Sequence, residues 1–332
     1  MEIRNGIAYS GSKEECGTLE EKLLNAKDKN IGFIQVRAKD IQDMLVVNNG
    51  IDRVQLANLS SLVKSYSGEI SVHLPNPEWD YTTLELSNKN QMVISTIRDI
   101  LVPLGIKKYT IHPHFNRATY ETLSPDEKKR VLLNMGNYFA DLVLSGASLA
   151  IENIPVRDFG EIQRMPESPK KQKAIKNISY GMTIPEIDRI LGITRKYVEL
   201  KTGNTQLAHD RVGITYDTGH SLTRIDDQQT KKAEVEKWIQ HFKDDIMIYH
   251  ITPSIERHSD GRDAVKKQGS RQIIEWIYEF TKKYNVDALS FVEAHASLES
   301  MSRLYDISCE LLSNVQSKGN STSTFPSAPS DR

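Results

Sequence analysis

Three features of this 332-residue sequence predict an α/β fold of the (β/α)8 TIM-barrel class. Short apolar, β-branched segments alternate with longer amphipathic ones, which is typical of repeated βα units around a parallel sheet. Eight such short segments occur, which is the number of strands that closes this kind of barrel. The length also lies within the usual range for the class. We therefore expect one barrel over residues 1–316.

The eight predicted strands alternate with predicted helices. The strands are expected at 3–9, 31–36, 69–73, 107–112, 148–152, 212–217, 246–251 and 288–293. Helices are expected at 18–28, 53–65, 88–103, 126–145, 231–243, 271–284 and 297–315. The helix after the fourth strand has the clearest start, because Ser124, Pro125 and Glu127 match an N-cap, an N1 proline and a capping-box glutamate.

One connection and the C-terminal segment depart from this alternation. Residues 157–210, between the fifth and sixth strands, form a predicted insertion with a basic run at 170–173 and a short helix near 184–192. Barrels often carry such insertions on the βα loops, where function resides. Residues 317–332 are rich in Ser, Thr and Pro and are expected to be disordered.

Composition limits the classes of function. The net charge of −1 provides no global positive field, so contact with nucleic acid would need a local basic patch. The sequence has neither a signal-peptide pattern nor an apolar run of membrane-spanning length, so a cytoplasmic protein without membrane contact is expected. Cys16 and Cys309 have no C-x-x-C spacing, which indicates neither a disulfide framework nor a zinc knuckle. Nothing in the composition indicates the oligomeric state.

Metal-ligand residue types end six consecutive predicted strands. In a parallel barrel, all C-terminal strand ends meet at one face. Crowded imidazoles and carboxylates would be desolvated at a cost of several kcal/mol unless a cation compensates them. Mixed His and carboxylate ligation favours Zn, Mn or Fe over Mg or Ca. One such residue alone is more often structural, but six in succession predict a metal centre: His73, His112, Glu152, Asp217, His250 and Glu293.

Three short motifs at these strand ends carry a family resemblance. They are Ile111-His-Pro, Ile151-Glu-Asn153 and Tyr216-Asp-Thr-Gly-His220. In order and spacing over most of residues 1–315, the chain resembles the xylose isomerase-like superfamily, and within it the endonuclease IV family of apurinic/apyrimidinic endonucleases. The chain departs from the family pattern at His114, where the family usually has Gly.

This resemblance implies a centre of two or three zinc ions. His73, His112 and Glu152 would hold the first ion. Glu152 would bridge to a second ion, which Asp217, His250 and Glu293 complete.

The resemblance also implies a third ion, held by His220 and an Asp-x-His pair after the seventh strand. Asp263 has the spacing of that aspartate, but Val265 stands at the histidine position. His258 offers the right chemistry at an earlier position. His258 and Asp263 are therefore the candidate ligands of this site.

The leading hypothesis is metal-dependent phosphoester hydrolysis at abasic sites in DNA. Closely spaced zinc ions generate hydroxide near neutral pH and stabilise charge on the attacking and leaving oxygens. The resemblance assigns Glu152 and Glu293 as the catalytic carboxylates. It places Arg37 where the family inserts side chains into DNA, and His114 is a further candidate substrate contact.

Two other functions remain open. A sugar isomerase or epimerase would need one metal ion held by Glu152, Asp217, His250 and Glu293, with the two glutamates exchanging a proton with the substrate. Its partner would be a small sugar. A non-catalytic barrel is the third possibility, and only the altered third metal site supports it.

Overall fold

The computed structural model describes residues 3–10, 16–47, 50–51, 53–79, 85–115, 120, 122–155, 164, 166–169, 180–223, 225–252, 268–293 and 298–320. Eight parallel strands form a closed barrel, so the predicted fold class is confirmed. Around the barrel the strand order is β1-β8-β7-β6-β5-β4-β3-β2. The strands are β1 (Ile3–Ala8), β2 (Phe33–Arg37), β3 (Glu69–His73), β4 (Lys108–Ile111), β5 (Ser148–Glu152), β6 (Val212–Asp217), β7 (Ile246–Ile251) and β8 (Ala288–Glu293).

Helices surround the barrel and cover it with apolar side chains. A two-stranded antiparallel ladder of Val46–Val47 with Gly50–Ile51 lies outside the barrel sheet. The helices described are α1 (Leu19–Asp28), α2 (Ala38–Leu45), α3 (Arg53–Ser65), α4 (Asn88–Thr96, continued as a π-helical turn over Ile97–Leu101), α5 (Pro125–Leu144), α6 (Ile184–Thr202), α7 (Thr205–Arg211), α8 (Thr218–Leu222), α9 (Gln228–His241), α10 (Gln268–Lys283) and α11 (Leu298–Asn320).

Helix α5 begins as its sequence predicts. The Ser124 hydroxyl accepts a hydrogen bond from the Glu127 amide at 3.3 Å, and the Glu127 carboxylate accepts one from the Ser124 amide at 2.8 Å. This reciprocal pair satisfies two amides that have no partner within the helix. Thr18 and Glu21 cap α1 in the same way.

Helix α6 is longer than predicted. It begins at Ile184 as expected but continues through Gly192 to Thr202, and it ends at Gly203 in the left-handed conformation with φ of 67°. Gly192 does not stop the helix because its buried stripe continues on both sides of that glycine. A Cβ on Gly136 of α5 would lie 2.2 Å from Ile193 Cγ2, so the missing side chain allows α6 to pack closely on α5. The second half of the predicted insertion is therefore a helix of the barrel's outer layer.

A polar layer inside the barrel shows which side chains point inward. Gln35 Nε2 donates to Ser71 Oγ at 3.2 Å and to Thr110 Oγ1 at 2.9 Å, and Thr110 Oγ1 lies 3.0 Å from Thr215 Oγ1. These bonds reach across strands and can form only in the interior. Because strand side chains alternate, the residue two positions later on each strand also leaves the sheet on the inner face. These later positions include Arg37, His73, His112 and Asp217.

The C-terminal helix passes the boundary at which a disordered segment was expected. Helix α11 runs to Asn320, so residues 317–320 are helical, and residues 321–332 lie outside the described chain. Among the described residues, no helix combines the length and the apolar character needed to cross a membrane.

Candidate metal centre

The structure brings the six strand-end residues together at the C-terminal face of the barrel. Their ligand atoms form two groups, within each of which all atoms lie within 4.8 Å of one another. The first group is His73, His112 and Glu152, and the second is Glu152, Asp217, His250 and Glu293.

Glu152 is the residue that the two groups share. Its Oε2 atom lies 2.9 Å from His73 Nε2 and 3.1 Å from His112 Nε2. Its Oε1 atom lies 3.0 Å from His250 Nδ1. The carboxylate is almost completely buried and lies within 3.1 Å of three imidazoles, with His220 Nδ1 at 3.7 Å, so it is placed to bridge two neighbouring cation positions.

Asp217 is held by an amide clamp from the neighbouring strand. Asn153 Nδ2 donates to the Asp217 carbonyl at 2.9 Å, and the Asp217 amide donates to Asn153 Oδ1 at 2.7 Å. Asp217 Oδ1 also caps α8 by accepting a hydrogen bond from the His220 amide at 2.9 Å. The sequence motifs contain Asn153 but do not indicate this positioning role.

The second ring nitrogen of several site histidines faces a fixed oxygen. His73 Nδ1 lies 3.1 Å from the Leu74 carbonyl, and His112 Nδ1 lies 3.3 Å from Asn76 Oδ1. A histidine that donates from Nδ1 presents the lone pair of Nε2, which is the usual arrangement behind a metal ligand. Both rings direct Nε2 towards Glu152.

Burial and neighbouring charges raise the pKa of some residues of the centre and lower the pKa of others. Burial lowers the pKa of His250, but the charges of Glu293 and Glu152 outweigh it and raise this pKa well above its usual value. Burial raises the pKa of Glu293, but the charge of His250 outweighs it and lowers this pKa to about 2. Burial raises the pKa of Asp217 to about 6. For His112, burial dominates and lowers the pKa despite the nearby Glu152 carboxylate.

The donor set fits a divalent cation. His112 Nε2 and Glu293 Oε2 are buried and have no hydrogen-bond partner among the described residues. Yet each lies close to another site atom, His112 Nε2 at 3.1 Å from Glu152 Oε2 and Glu293 Oε2 at 2.8 Å from His250 Nδ1. Within each group, the nitrogen and oxygen atoms lie close enough together to serve as ligands of a common ion. Imidazole and carboxylate donors suit Zn, Mn or Fe.

Of the other predicted site residues, the structure describes His220, His114 and Arg37. His220 reaches the centre, 3.5 Å from Asp217 Oδ2, but its Nδ1 faces the Asn153 carbonyl at 2.8 Å, and it belongs to neither ligand group. His114 is partly buried, and burial lowers its pKa. His258 and Asp263 lie outside the described residues, so the third ion stays a prediction. Arg37 ends β2 beside His73.

No protein-family model matches the chain, and no curated protein matches it. Solved structures match it over nearly their full length. They include L-ribulose 3-epimerase, with 14% identity, coverage of 98% of this chain and 100% of that chain, and a TM-score of 0.59. A xylose isomerase domain protein from Alicyclobacillus acidocaldarius subsp. acidocaldarius has 11% identity, coverage of 95% and 100%, and a TM-score of 0.54.

A third match is the IOLI protein with a binding zinc atom, at 12% identity, coverage of 94% of this chain and 99% of that chain, and a TM-score of 0.55. At these identities the similarity shows a common fold and leaves the chemistry to be argued from the site. The narrower resemblance to endonuclease IV stays a prediction. The chain shares the fold of the xylose isomerase-like TIM barrels.

Proposed function

We propose that the chain is a metal-dependent isomerase or epimerase that moves a proton on a sugar or a related hydroxy-carbonyl compound. The observation that carries this proposal is the quartet Glu152, Asp217, His250 and Glu293, whose ligand atoms lie within 4.8 Å of one another. A divalent ion held by the quartet would polarise the substrate carbonyl and acidify the neighbouring C–H bond. Proteins with this fold that are named as sugar epimerases support the proposal over the hydrolase hypothesis.

The two glutamates of the quartet are placed to transfer the proton. Glu152 ends β5 and Glu293 ends β8, and β6 and β7 separate these strands in the barrel. One carboxylate removes a proton from the carbon next to the carbonyl, leaving the electron pair delocalised towards the carbonyl oxygen. The other returns a proton to the opposite face of that carbon in an epimerase. In an isomerase, the proton returns instead to the former carbonyl carbon, while the hydroxyl proton of the neighbouring carbon moves to the former carbonyl oxygen.

His250 and Asn153 keep this geometry. His250 Nδ1 contacts Glu152 Oε1 at 3.0 Å and Glu293 Oε2 at 2.8 Å, so one buried ring sets the position of both carboxylates. Asn153 holds the backbone of Asp217 through two hydrogen bonds.

The test is exchange of the substrate C–H hydrogen with solvent deuterium, followed by NMR. Protein reconstituted with Mn²⁺ or Zn²⁺ is incubated with a panel of ketoses and their phosphates. We expect exchange next to the carbonyl, and a fall of about 10²–10⁴-fold in Glu293→Gln, the usual contribution of a positioned acid–base group. Glu275→Gln, at an exposed residue of α10, is the matched control and keeps the wild-type rate. Equal exchange in wild type and Glu293→Gln at equal metal content would refute the proposal.

Phosphoester hydrolysis is the second candidate, because the site offers more ligands than one ion needs. His73 and His112 complete a separate group around Glu152, and a carboxylate shared by two ions is suited to activate water. A DNA duplex with an abasic site would then be the partner. Two or three ions per purified chain, together with nicking of that duplex, would favour this candidate. One ion per chain with ketose exchange would favour the isomerase.

Any DNA affinity would have to come from local charge. Arg164 is exposed, whereas Lys170, Lys171, Lys173 and Lys176 lie outside the described residues. Binding through these side chains would weaken with salt by a log–log slope of about −0.9 per phosphate contact. An unchanged slope after glutamine replaces the lysines at 170, 171 and 173 would exclude this segment as a DNA contact.

A further inference from the structure

A buried ionic cluster stands beside the metal centre and plays no part in the proton transfer. Lys22 of α1 is completely buried, and its Nζ donates to Asp40 Oδ2 at 2.8 Å. Asp40 Oδ1 in turn accepts a hydrogen bond from Arg37 Nη2 at 3.0 Å, and Oδ2 accepts one from the Arg37 amide at 3.1 Å. The lysine thus holds the carboxylate, and the carboxylate holds the guanidinium and its backbone.

Arg37 leaves the barrel sheet on its inner face, at the level of the metal ligands. Gln35, two residues earlier, points into the barrel and donates to Thr110 Oγ1 at 2.9 Å. Side chains alternate along a strand, so Arg37 starts from the same face. In the register between β2 and β3, Arg37 is the direct partner of His73. The Arg37 backbone therefore lies next to His73 of the first ligand group.

Two buried donors at this position have no partner among the described residues. They are Arg37 Nε and Ser10 Oγ. Ala8 of β1 is level with Gln35 of β2, and Ser10 and Arg37 each follow two residues later on their chains. The neighbouring strands thus place both donors at the same end of the barrel. Buried donors of this kind are normally satisfied, so these two indicate a missing acceptor.

The charge of the cluster points to the nature of that acceptor. Lys22 and Arg37 carry two positive charges against the single negative charge of Asp40, so one positive charge is not balanced within the cluster. Guanidinium groups pair with carboxylate and phosphate oxygens in strong, charge-assisted hydrogen bonds. A neutral sugar would supply neither the charge nor an acceptor of that strength.

We propose that Arg37 and Ser10 form an oxyanion subsite, and that the compound turned over at the metal centre carries a phosphate or carboxylate group. This inference rests on the proposed isomerase function and narrows its substrate class to anionic sugars. Asp40 and Lys22 are positioning residues, since they act through Arg37.

The test compares three probes that share one carbon skeleton. Fructose, fructose 6-phosphate and fructuronate are titrated into the zinc-loaded protein, and inorganic phosphate is titrated separately by calorimetry. We expect at least one anionic sugar to bind at least 10-fold more tightly than fructose. Arg37→Gln should reduce this preference and the phosphate affinity by about 10- to 100-fold, the effect of losing a charge-assisted hydrogen bond. The ratio of the affinities for fructose 6-phosphate and fructuronate shows whether the subsite prefers a phosphate or a carboxylate.

Two further variants keep the outcome interpretable. Arg98→Gln removes an exposed guanidinium that pairs with the neighbouring Asp99, and it should leave every affinity unchanged. Arg37→Lys keeps the charge with fewer donors and should retain an intermediate preference, which covers the case that Arg37→Gln fails to fold. Absence of any anion preference in the wild type, or phosphate affinity equal in wild type and Arg37→Gln, would overturn the subsite. The wild-type protein could also bind phosphate in an Arg37-dependent way and yet show no deuterium exchange with any sugar. That result would refute the isomerase proposal but not the oxyanion subsite.

Discussion

Replacing Asp40 with alanine would leave the buried Lys22 ammonium group of α1 without its partner. The pair is short, at 2.8 Å, and the exposed fractions of the two side chains are 0% and 5%. Removing one partner of a buried ion pair costs about 3–5 kcal/mol, because the other charge stays desolvated. Unfolding entropy of about 2.1 cal/mol/K per residue over 332 residues gives about 0.7 kcal/mol/K, so the melting temperature should fall by about 4–7 °C.

Replacing the other partner, Lys22, should reduce the stability of the fold by less. In Lys22→Met, Asp40 keeps its hydrogen bonds from Arg37, and the methionine fills most of the lysine volume. We expect a loss of about 1–2 kcal/mol, because no charge is left alone in the interior. The matched control is Lys196→Met, which breaks an ion pair of similar length, 3.0 Å to Glu199, at an exposed position. Exposed pairs contribute about 0–1 kcal/mol.

Calorimetric melting of the three variants in the same metal-containing buffer checks this order. The expected ranking of destabilisation is Asp40→Ala, then Lys22→Met, then Lys196→Met. An Asp40→Ala variant that melts with the wild type, or a control more destabilised than Lys22→Met, would show that burial does not set the strength of this pair.

Three further predictions concern the metal centre, the barrel sheet and helix α6. Asn153→Ala removes both hydrogen bonds that hold the Asp217 backbone, so zinc affinity measured by competition with a chelator should fall by about 10–100-fold, and an unchanged affinity would remove Asn153 from the site. Gly213→Ala places a Cβ 2.4 Å from the Asp245 carbonyl and should destabilise the barrel by about 1–3 kcal/mol. In Gly192→Ala, the added Cβ has no other atom within 4 Å. This variant should stabilise α6 by about 0.5–1 kcal/mol in the same melting experiment. A loss of stability would contradict the steric argument.

Much of the barrel is predictable from local sequence. Each strand is a short apolar segment, and each candidate ligand lies at the end of its strand or directly after it, as Glu293 does in β8 and His112 does after β4. Because the strands are parallel, their C-terminal ends all lie at one face of the barrel. Residues at these ends therefore meet there although they are distant in the sequence. The start of α5 is also predictable from local sequence, since the capping residues Ser124 and Glu127 lie three residues apart.

The length of α6 was not predictable in the same way. Gly192 is a weak position in an isolated helix, and the sequence pattern predicts that the helix ends near it. Packing decides otherwise, because the close approach at Gly136 lets the buried stripe of α6 lie on α5. The stability of that helix comes from a surface that exists only in the folded barrel.

The sequence alone therefore determined the fold class and the six strand-end residues that meet at one face of the barrel, because periodicity and residue type at strand ends are local properties of the chain. The tertiary structure decided that Glu152 is shared by both ligand groups, that Asn153 clamps Asp217, and that Lys22 reaches Arg37 through Asp40. These contacts depend on strand register and on the side chains that barrel closure places opposite one another. No periodicity encodes them, because their partners lie on different strands and helices.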